Sequence, residues 1–171
     1  ELLELNGRLA GTVRFGMPPG SGAVQLVAHV LAAEAAEAAG RDSRPYYEEA
    51  ERIHKTINEK LWLASRGHYG ESIDRFGLKR LHPEPELGSI YLPIQFDVGD
   101  ALQAYQMLRF TETNLRNETA IPNGGRLVWT SNWAPNRNNY YTHSTYDLNF
   151  AEVLDLAFAY YHAGQFNKAY E

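Results

Sequence analysis

The stretch LHPEPELGSIYLPIQF, residues 81 to 96, places two carboxylates, Glu84 and Glu86, around Pro83 and Pro85. Proline fixes its own φ and pushes the residue before it toward extended backbone, so the segment reads as a stiff, extended, largely apolar loop. Leu81, Leu87, Ile90 and Tyr91 flank the acids. Such neighbours take a carboxyl out of water and raise its pKa, as a general acid working at neutral pH requires. A second acidic stretch, HYGESIDRFG (68 to 77), carries Glu71 and Asp74 near Tyr69 and Phe76. Hydrolysis of a glycosidic bond needs two carboxyls facing each other across the sugar, roughly 5 to 10 Å apart. One acid from each stretch could form that pair, which makes Glu71, Glu84 and Glu86 the candidate catalytic residues and Asp74 a candidate sugar ligand. The structural alternative is open for each: a helix cap or a partner for Lys79 or Arg80, and for Asp74 a turn cap paired with Arg75 or Arg80.

A third stretch, VWTSNWAPNRNNYYTHSTYD (128 to 147), interleaves Trp129, Trp133, Tyr140 and Tyr141 with Asn132, Arg137, Asn138 and His143. Aromatic faces stack on the apolar faces of sugars while amides and guanidinium groups bond the hydroxyls. Trp129, Asn132, Trp133, Arg137, Tyr141 and His143 are accordingly the candidate substrate-binding residues. The same aromatics could instead seal one end of a helical core. Asp147, three residues after Ser144, has capping-box spacing and reads as structural. His82 with Glu84 and Glu86, or His143 with Asp147, matches no zinc or calcium spacing, and no phosphate-binding loop, dinucleotide fingerprint or serine elbow occurs, so no metal or cofactor is expected.

Composition narrows the partners. The 171 residues are 44% apolar and 22% charged, ordinary for one globular domain. A net charge of -5, without a lysine or arginine run, lacks the footprint of a phosphate-backbone binder, so nucleic acid is not expected. The longest apolar stretch, AVQLVAHVLAAEAAEAA (23 to 39), is broken by Gln25, His29, Glu34 and Glu37 and is too short for a bilayer, so no membrane partner is expected. Zero cysteines exclude disulfides and thiolate zinc sites and leave the compartment open. Glu1 at the start suggests a piece of something longer.

The elements that must position these residues are mainly helical. Residues 1 to 15 alternate around Asn6-Gly7 and predict a short β-hairpin, followed by a linker to residue 20. Ser21 is placed to cap a helix with the stripe Val24, Val27, Ala28, Leu31, Ala35 and Ala38, stopped by Gly40. Ser43 and Pro45 open a second, striped by Tyr46, Ala50, Ile53, Ile57 and Leu61. Residues 64 to 96 predict a long loop with strand pieces around Tyr69 and Ile73. Asp97 is the expected cap of a third helix with Val98, Ala101, Leu102, Tyr105 and Leu108 on one face. A second long loop spans 117 to 144. Ser144 or Thr145 is the expected cap of a fourth helix whose apolar positions are Phe150, Val153, Leu154, Ala157, Phe158 and Tyr161, and Gly164 separates it from a fifth. The pattern is one domain, residues 1 to 171, in which residues 21 to 171 form antiparallel helix hairpins with short turns at one end and long loops at the other.

VLAAEAAEAAGRDSRPYYEEAERIHKTINEKLW running into GHYGESID resembles the helix, helix, short-strand rhythm of the six-hairpin glycosidases, the (α/α)6 toroid superfamily. RLHPEPELGSIYLPI and STYDLNFAEVLDLAFAYYHAGQFNKAYE are similar to segments of large bacterial glycoside hydrolases of that superfamily. The resemblance covers most of residues 22 to 171. It implies a partial toroid, a cleft lined by the two long loops, an acid that protonates the glycosidic oxygen, a second that activates water with inversion, carbohydrate as partner, and export to the periplasm or beyond. A ring needs six hairpins and only two to three fit here, which implies an apolar flank that associates with itself or with the rest of a parent chain. The competing reading takes LAFAYYHAGQFNKAYE and LAAEAAEAAGRDSRPYYEEA as tetratricopeptide-like helices of a non-catalytic scaffold, although they do not repeat at thirty-four residues. A carbohydrate-binding fragment without catalysis is the third.

Overall fold

The computed structural model describes residues 19–74, 77–119, 125–132 and 146–171. The expected N-terminal hairpin, Ser144, Thr145 and the candidate ligands Trp133, Arg137, Tyr141 and His143 lie outside the described residues. Among those described, the order is α1 (Pro19–Ala38), α2 (Arg44–Lys60), β1 (Trp62–Leu63), β2 (His68–Tyr69), β3 (Ser72–Ile73), β4 (Leu81–His82), α3 (Gly88–Gln95), α4 (Ala101–Asn114), β5 (Asn117–Thr119), β6 (Arg126–Val128), α5 (Phe150–His162) and α6 (Phe166–Ala169). The fold is mainly helical, with three antiparallel strand pairs: β1 with β2, β3 with β4 and β5 with β6. No described helix is long and apolar enough to cross a membrane.

The helix breaks follow the glycines. Gly40 takes φ of 64°, and the N–H groups of Gly40 and Arg41 donate to the carbonyls of Glu37 and Ala36, the paired bonds of a Schellman stop. Gly164, at φ of 75°, repeats the device: its N–H donates to Tyr161 and that of Gln165 to Tyr160. The short turn at Gly40 lets α1 and α2 pack along each other, and α5 packs on α6 in the same way. In α2 the buried positions are Ala50, Ile53 and Ile57, continued by Leu61, as their spacing predicts, while Tyr46, first in the expected stripe, is exposed in the opening turn.

The core is organised by α3, which the sequence reading assigned to extended loop. The loop with its short strands ends at Leu87; Gly88–Gln95 is helical despite Pro93, and Ser89, Ile90, Tyr91, Pro93 and Ile94 are all buried. Burial of five of eight residues against α1, α4, α5 and β2 overrides the loss of one helical hydrogen bond at Pro93. Two caps also shift. Asp97 does not cap α4: it follows α3 with φ of 50° and faces His162 Nε2 at 3.2 Å. Asp100 caps α4 instead, accepting from Gln103 N–H at 2.8 Å while Gln103 Oε1 accepts from Asp100 N–H at 2.8 Å, a reciprocal capping box. Asn149 caps α5 through its side-chain oxygen and Ala151 N–H at 3.1 Å, in place of Ser144 or Thr145.

The phase of α1 differs from expectation as well. Ala23, Leu26, Ala33 and Ala36 are buried, whereas Val24 and Leu31, in the expected stripe, are exposed. Apolar residues surround α1 so evenly that period alone leaves its inward face undetermined. Close approach to α2 selects the face: a Cβ on Gly22 would stand 3.0 Å from Ile57 Cδ1. On α5, Leu156, Ala159 and Tyr160 face inward, while Phe150, Leu154, Phe158 and Tyr161 are 68%, 72%, 55% and 53% exposed.

Polar groups inside the core are tied to backbone. Tyr69 Oη donates to Asn58 Oδ1 at 2.7 Å and Asn58 Nδ2 to the Val98 carbonyl at 2.8 Å, joining β2, α2 and the approach to α4. His68 is buried against Phe110, with Nδ1 2.8 Å from the Tyr69 carbonyl, which makes that nitrogen the donor. Burial lowers its pKa below the ordinary value near 6.5.

The observed phase of α1 predicts that Ala23→Leu overfills the core and costs about 1–3 kcal/mol in urea unfolding. Val24→Ser should stay within about 0.5 kcal/mol. The reverse ranking would restore the expected stripe.

Candidate functional site

Two of the three candidate catalytic acids meet at the N-terminal end of α3. Gly70 permits the approach: a Cβ there would lie 3.0 Å from both the His82 carbonyl and Leu81 Cδ1, so a side chain would pry β3 from β4. With the strands close, Glu71 N–H donates to the His82 carbonyl at 2.7 Å, and the Glu71 side chain reaches the Pro85–Glu86 turn. Its Oε2 accepts from Glu86 N–H at 3.2 Å and from the hydroxyl of Ser89, a buried residue in the first turn of α3. One carboxylate therefore ties the turn before α3 to the hydroxyl of its first turn, at the helix end where negative charge is favoured.

Glu86 sits beside it in a different environment. Its carboxyl is pushed up to about 7, first by burial, then by the charges of Glu71 and Glu152. Buried Leu87 follows it and buried Pro85 precedes it, so the apolar flanks have the expected effect. Glu152, in the first turn of α5, is likewise raised to about 7 by burial and then by Asp147, Asp155 and Glu71, against a hydrogen bond from Asn149 Nδ2 at 3.3 Å that acts in the opposite direction. Five carboxylates, Glu71 just before β3, Glu86 before α3, Asp147 before α5 and Glu152 and Asp155 within it, thus meet electrostatically at the junction of α3 and α5.

A cleft of about 330 Å³ opens beside this junction, lined by Glu71, Ser72, His82, Pro83, Glu84, Glu86 and Ser131. Glu84 lies at its exposed edge, where Arg66 Nη1 donates to it at 2.8 Å, the pairing that its flanking charges allowed but with a different cation. Asp74 accepts from His82 Nε2 at 2.7 Å, and this bond holds its carboxyl below the usual range. A second groove, of about 360 Å³, runs between α4, β6 and α5 over Phe150, Val153, Leu154 and Ala157. It is the larger, but its acids, Glu112 and Glu171, are respectively bonded to Lys168 at 3.3 Å and at the chain's last described residue, so facing carboxyls belong to the smaller cleft.

Trp129 and Asn132 stand apart from that cleft. The Arg116 guanidinium lies 3.9 Å from the Trp129 ring centre, Tyr146 packs at 4.8 Å, and Trp129 Nε1 donates to Glu118 at 3.3 Å. Asn132 accepts from Arg116 N–H at 2.9 Å and donates to the Asn114 carbonyl at 2.5 Å, closing the end of α4. Both serve the corner between α4 and β5. Among the described residues no three His, Asp or Glu side chains are grouped to hold a metal ion.

Sequence reasoning missed Glu152, Ser89 and Ser131. Glu152 had a signal, its spacing of three from Asn149, but that spacing speaks of a cap and not of a distant cleft. Ser89 and Ser131 had none, because a serine acquires meaning here from the carboxylate or opening that the fold brings to it.

No family model matches the chain. No curated protein matches it either.

The raised acids carry a stability signature. Folded Glu86 and Glu152 keep their protons up to about pH 7, whereas an unfolded glutamate releases its own near 4.5. Between those values the folded state binds more protons, so these groups favour the native state at low pH and that advantage disappears as pH rises through 7. Glu86→Gln or Glu152→Gln should therefore stabilise the protein at pH 8 by about 1 kcal/mol, after discounting for solvent screening at partly exposed groups, and not at pH 4. Thermal melts of each variant at both pH values check the sign.

Proposed function

We propose that the cleft at the start of α3 hydrolyses glycosidic bonds, with Glu86 as general acid and Glu71 as the base that activates water. The observation that carries this reading is the pairing of environments: Glu86 is desolvated to about 7, while the adjacent Glu71 carboxylate accepts two hydrogen bonds. Neighbouring carboxyls in unlike surroundings divide acid and base roles in this way. In the reaction, the Glu86 proton goes to the glycosidic oxygen as the bond from that oxygen to the anomeric carbon breaks. Water attacks the same carbon from the opposite face, Glu71 takes its proton, and the product sugar is inverted. Keeping such carboxyls together lowers stability at neutral pH, a cost that functional sites commonly carry.

In this reading the chain is part of an (α/α) toroid, and carbohydrate is its ligand. Support comes from the hairpins α1–α2 and α5–α6, with the cleft built on the connections between them. The resemblance of the chain to six-hairpin glycosidases points the same way. The exposed row Phe150, Leu154, Phe158 and Tyr161 supports association with a second copy or with further chain of the same protein.

Turnover on a panel of soluble oligosaccharides, read as new reducing ends, tests the chemistry. Glu86→Gln and Glu71→Gln should each lower it by about 100-fold or more while leaving sugar binding intact. Binding without turnover in the unmodified protein would leave a carbohydrate-binding module, and absence of both would leave the helical scaffold. For the apolar row, sedimentation of the chain should show concentration-dependent association that Leu154→Lys with Phe158→Lys abolishes. A monomer at high concentration sinks that part.

A further inference from the structure

Glu86 and Glu152 come from segments far apart in sequence, and one buried residue, through its backbone and its side chain, joins those segments. Thr130 is fully buried, directly before the cleft-lining Ser131. Its carbonyl accepts from Leu87 N–H at 2.7 Å, which holds the chain immediately after Glu86. On the other side its N–H donates to the Asp147 carbonyl at 2.9 Å, and its Oγ1 accepts from Tyr146 N–H at 2.9 Å and Asp147 N–H at 3.1 Å. The hydroxyl proton points to Asp147 Oδ1 at 3.4 Å. A threonine hydroxyl has one donor and two acceptor positions, and all three are used here. Two residues beyond Asp147, Asn149 opens α5 and bonds Glu152.

We propose that Thr130 is a positioning residue: through its hydroxyl and backbone it clamps the Glu86 turn onto the segment entering α5, and so fixes the separation of the cleft carboxyl from the α5 acids. This deepens the reading of Glu86 as the acid, but its geometry does not depend on turnover. Without the hydroxyl, the N–H groups of Tyr146 and Asp147 lose their acceptor and the segment keeps only the bond from Thr130 N–H to the Asp147 carbonyl, so Asp147 and, beyond Asn149, Glu152 shift relative to Glu86. Serine keeps the oxygen and loses only a methyl group.

The test is the titration of individual glutamate carboxyls by carbon-13 NMR in the unmodified protein, Thr130→Val and Thr130→Ser, with Glu86→Gln and Glu152→Gln assigning the signals. In Thr130→Val the midpoints of Glu86 and Glu152 should each move by half a pH unit or more, whereas Thr130→Ser should keep both near their original values. A merely structural threonine would lower the melting temperature without moving those midpoints. If Thr130→Val does not fold, Thr130→Cys, which replaces the oxygen by a poor acceptor, takes its place. Unmoved midpoints in a folded variant lacking the hydroxyl overturn the proposal. So do midpoints near the ordinary glutamate value in the unmodified protein, a result that would also remove Glu86 as the acid. Moved midpoints in a protein that cleaves no sugar would uphold Thr130 and defeat the glycosidase reading alone.

Discussion

Burial of α3 is the constraint on which the rest depends. An eight-residue helix cannot hold itself in water, and this one contains a proline, so its existence rests on the surfaces packed around it. Leu87 and Ile90 are fully enclosed and Ile94 nearly so, by elements from both halves of the chain. Helix starts leave N–H groups to be satisfied, and a helix buried this deeply has little water to satisfy them. Leu87 N–H goes to the Thr130 carbonyl and Ser89 N–H to the Glu86 carbonyl, while Glu71 ties down the turn before the helix through Glu86 N–H and the Ser89 hydroxyl. The requirement that completes the core therefore also draws one acid beside another.

From that junction the charges follow. Once Glu71 is placed at the head of α3, Glu86 lies within reach of its charge, and α5 and its entry bring Glu152 and Asp147 into the same electrostatic neighbourhood. Helix packing alone would favour neutral side chains there. The arrangement instead concentrates carboxyls where burial raises their affinity for protons, which is what acid catalysis near neutrality asks of a site.

Some of this was legible in the residues. Gly40 and Gly164 announced the helix stops because positive φ is a local demand that glycine meets at little cost. The α2 stripe was legible because its polar residues leave a single apolar face. The α1 stripe was not, since alanine and valine surround that helix and only its contacts with α2, through Ile57, and with α3 pick a side. α3 was misread because prolines speak locally against regular structure, while the burial that overrides them is a property of distant elements.

At the site, the sequence by itself determined that Glu86 lies in a short, stiff, apolar-flanked segment, because proline geometry and flanking hydrophobicity act within a few residues. It also determined the mainly helical class, through periodicity and breakers. Only the tertiary structure decided that Glu71 and Glu86 share an opening while Glu84 turns to Arg66, that Trp129 lies beneath Arg116, and that Glu152 belongs with the first pair. The physical reason is range. Backbone preference is set by neighbours in sequence, but the contacts that bring Glu71, Glu86 and Glu152 together join residues 15 to 81 positions apart, and no local pattern records which of them will meet.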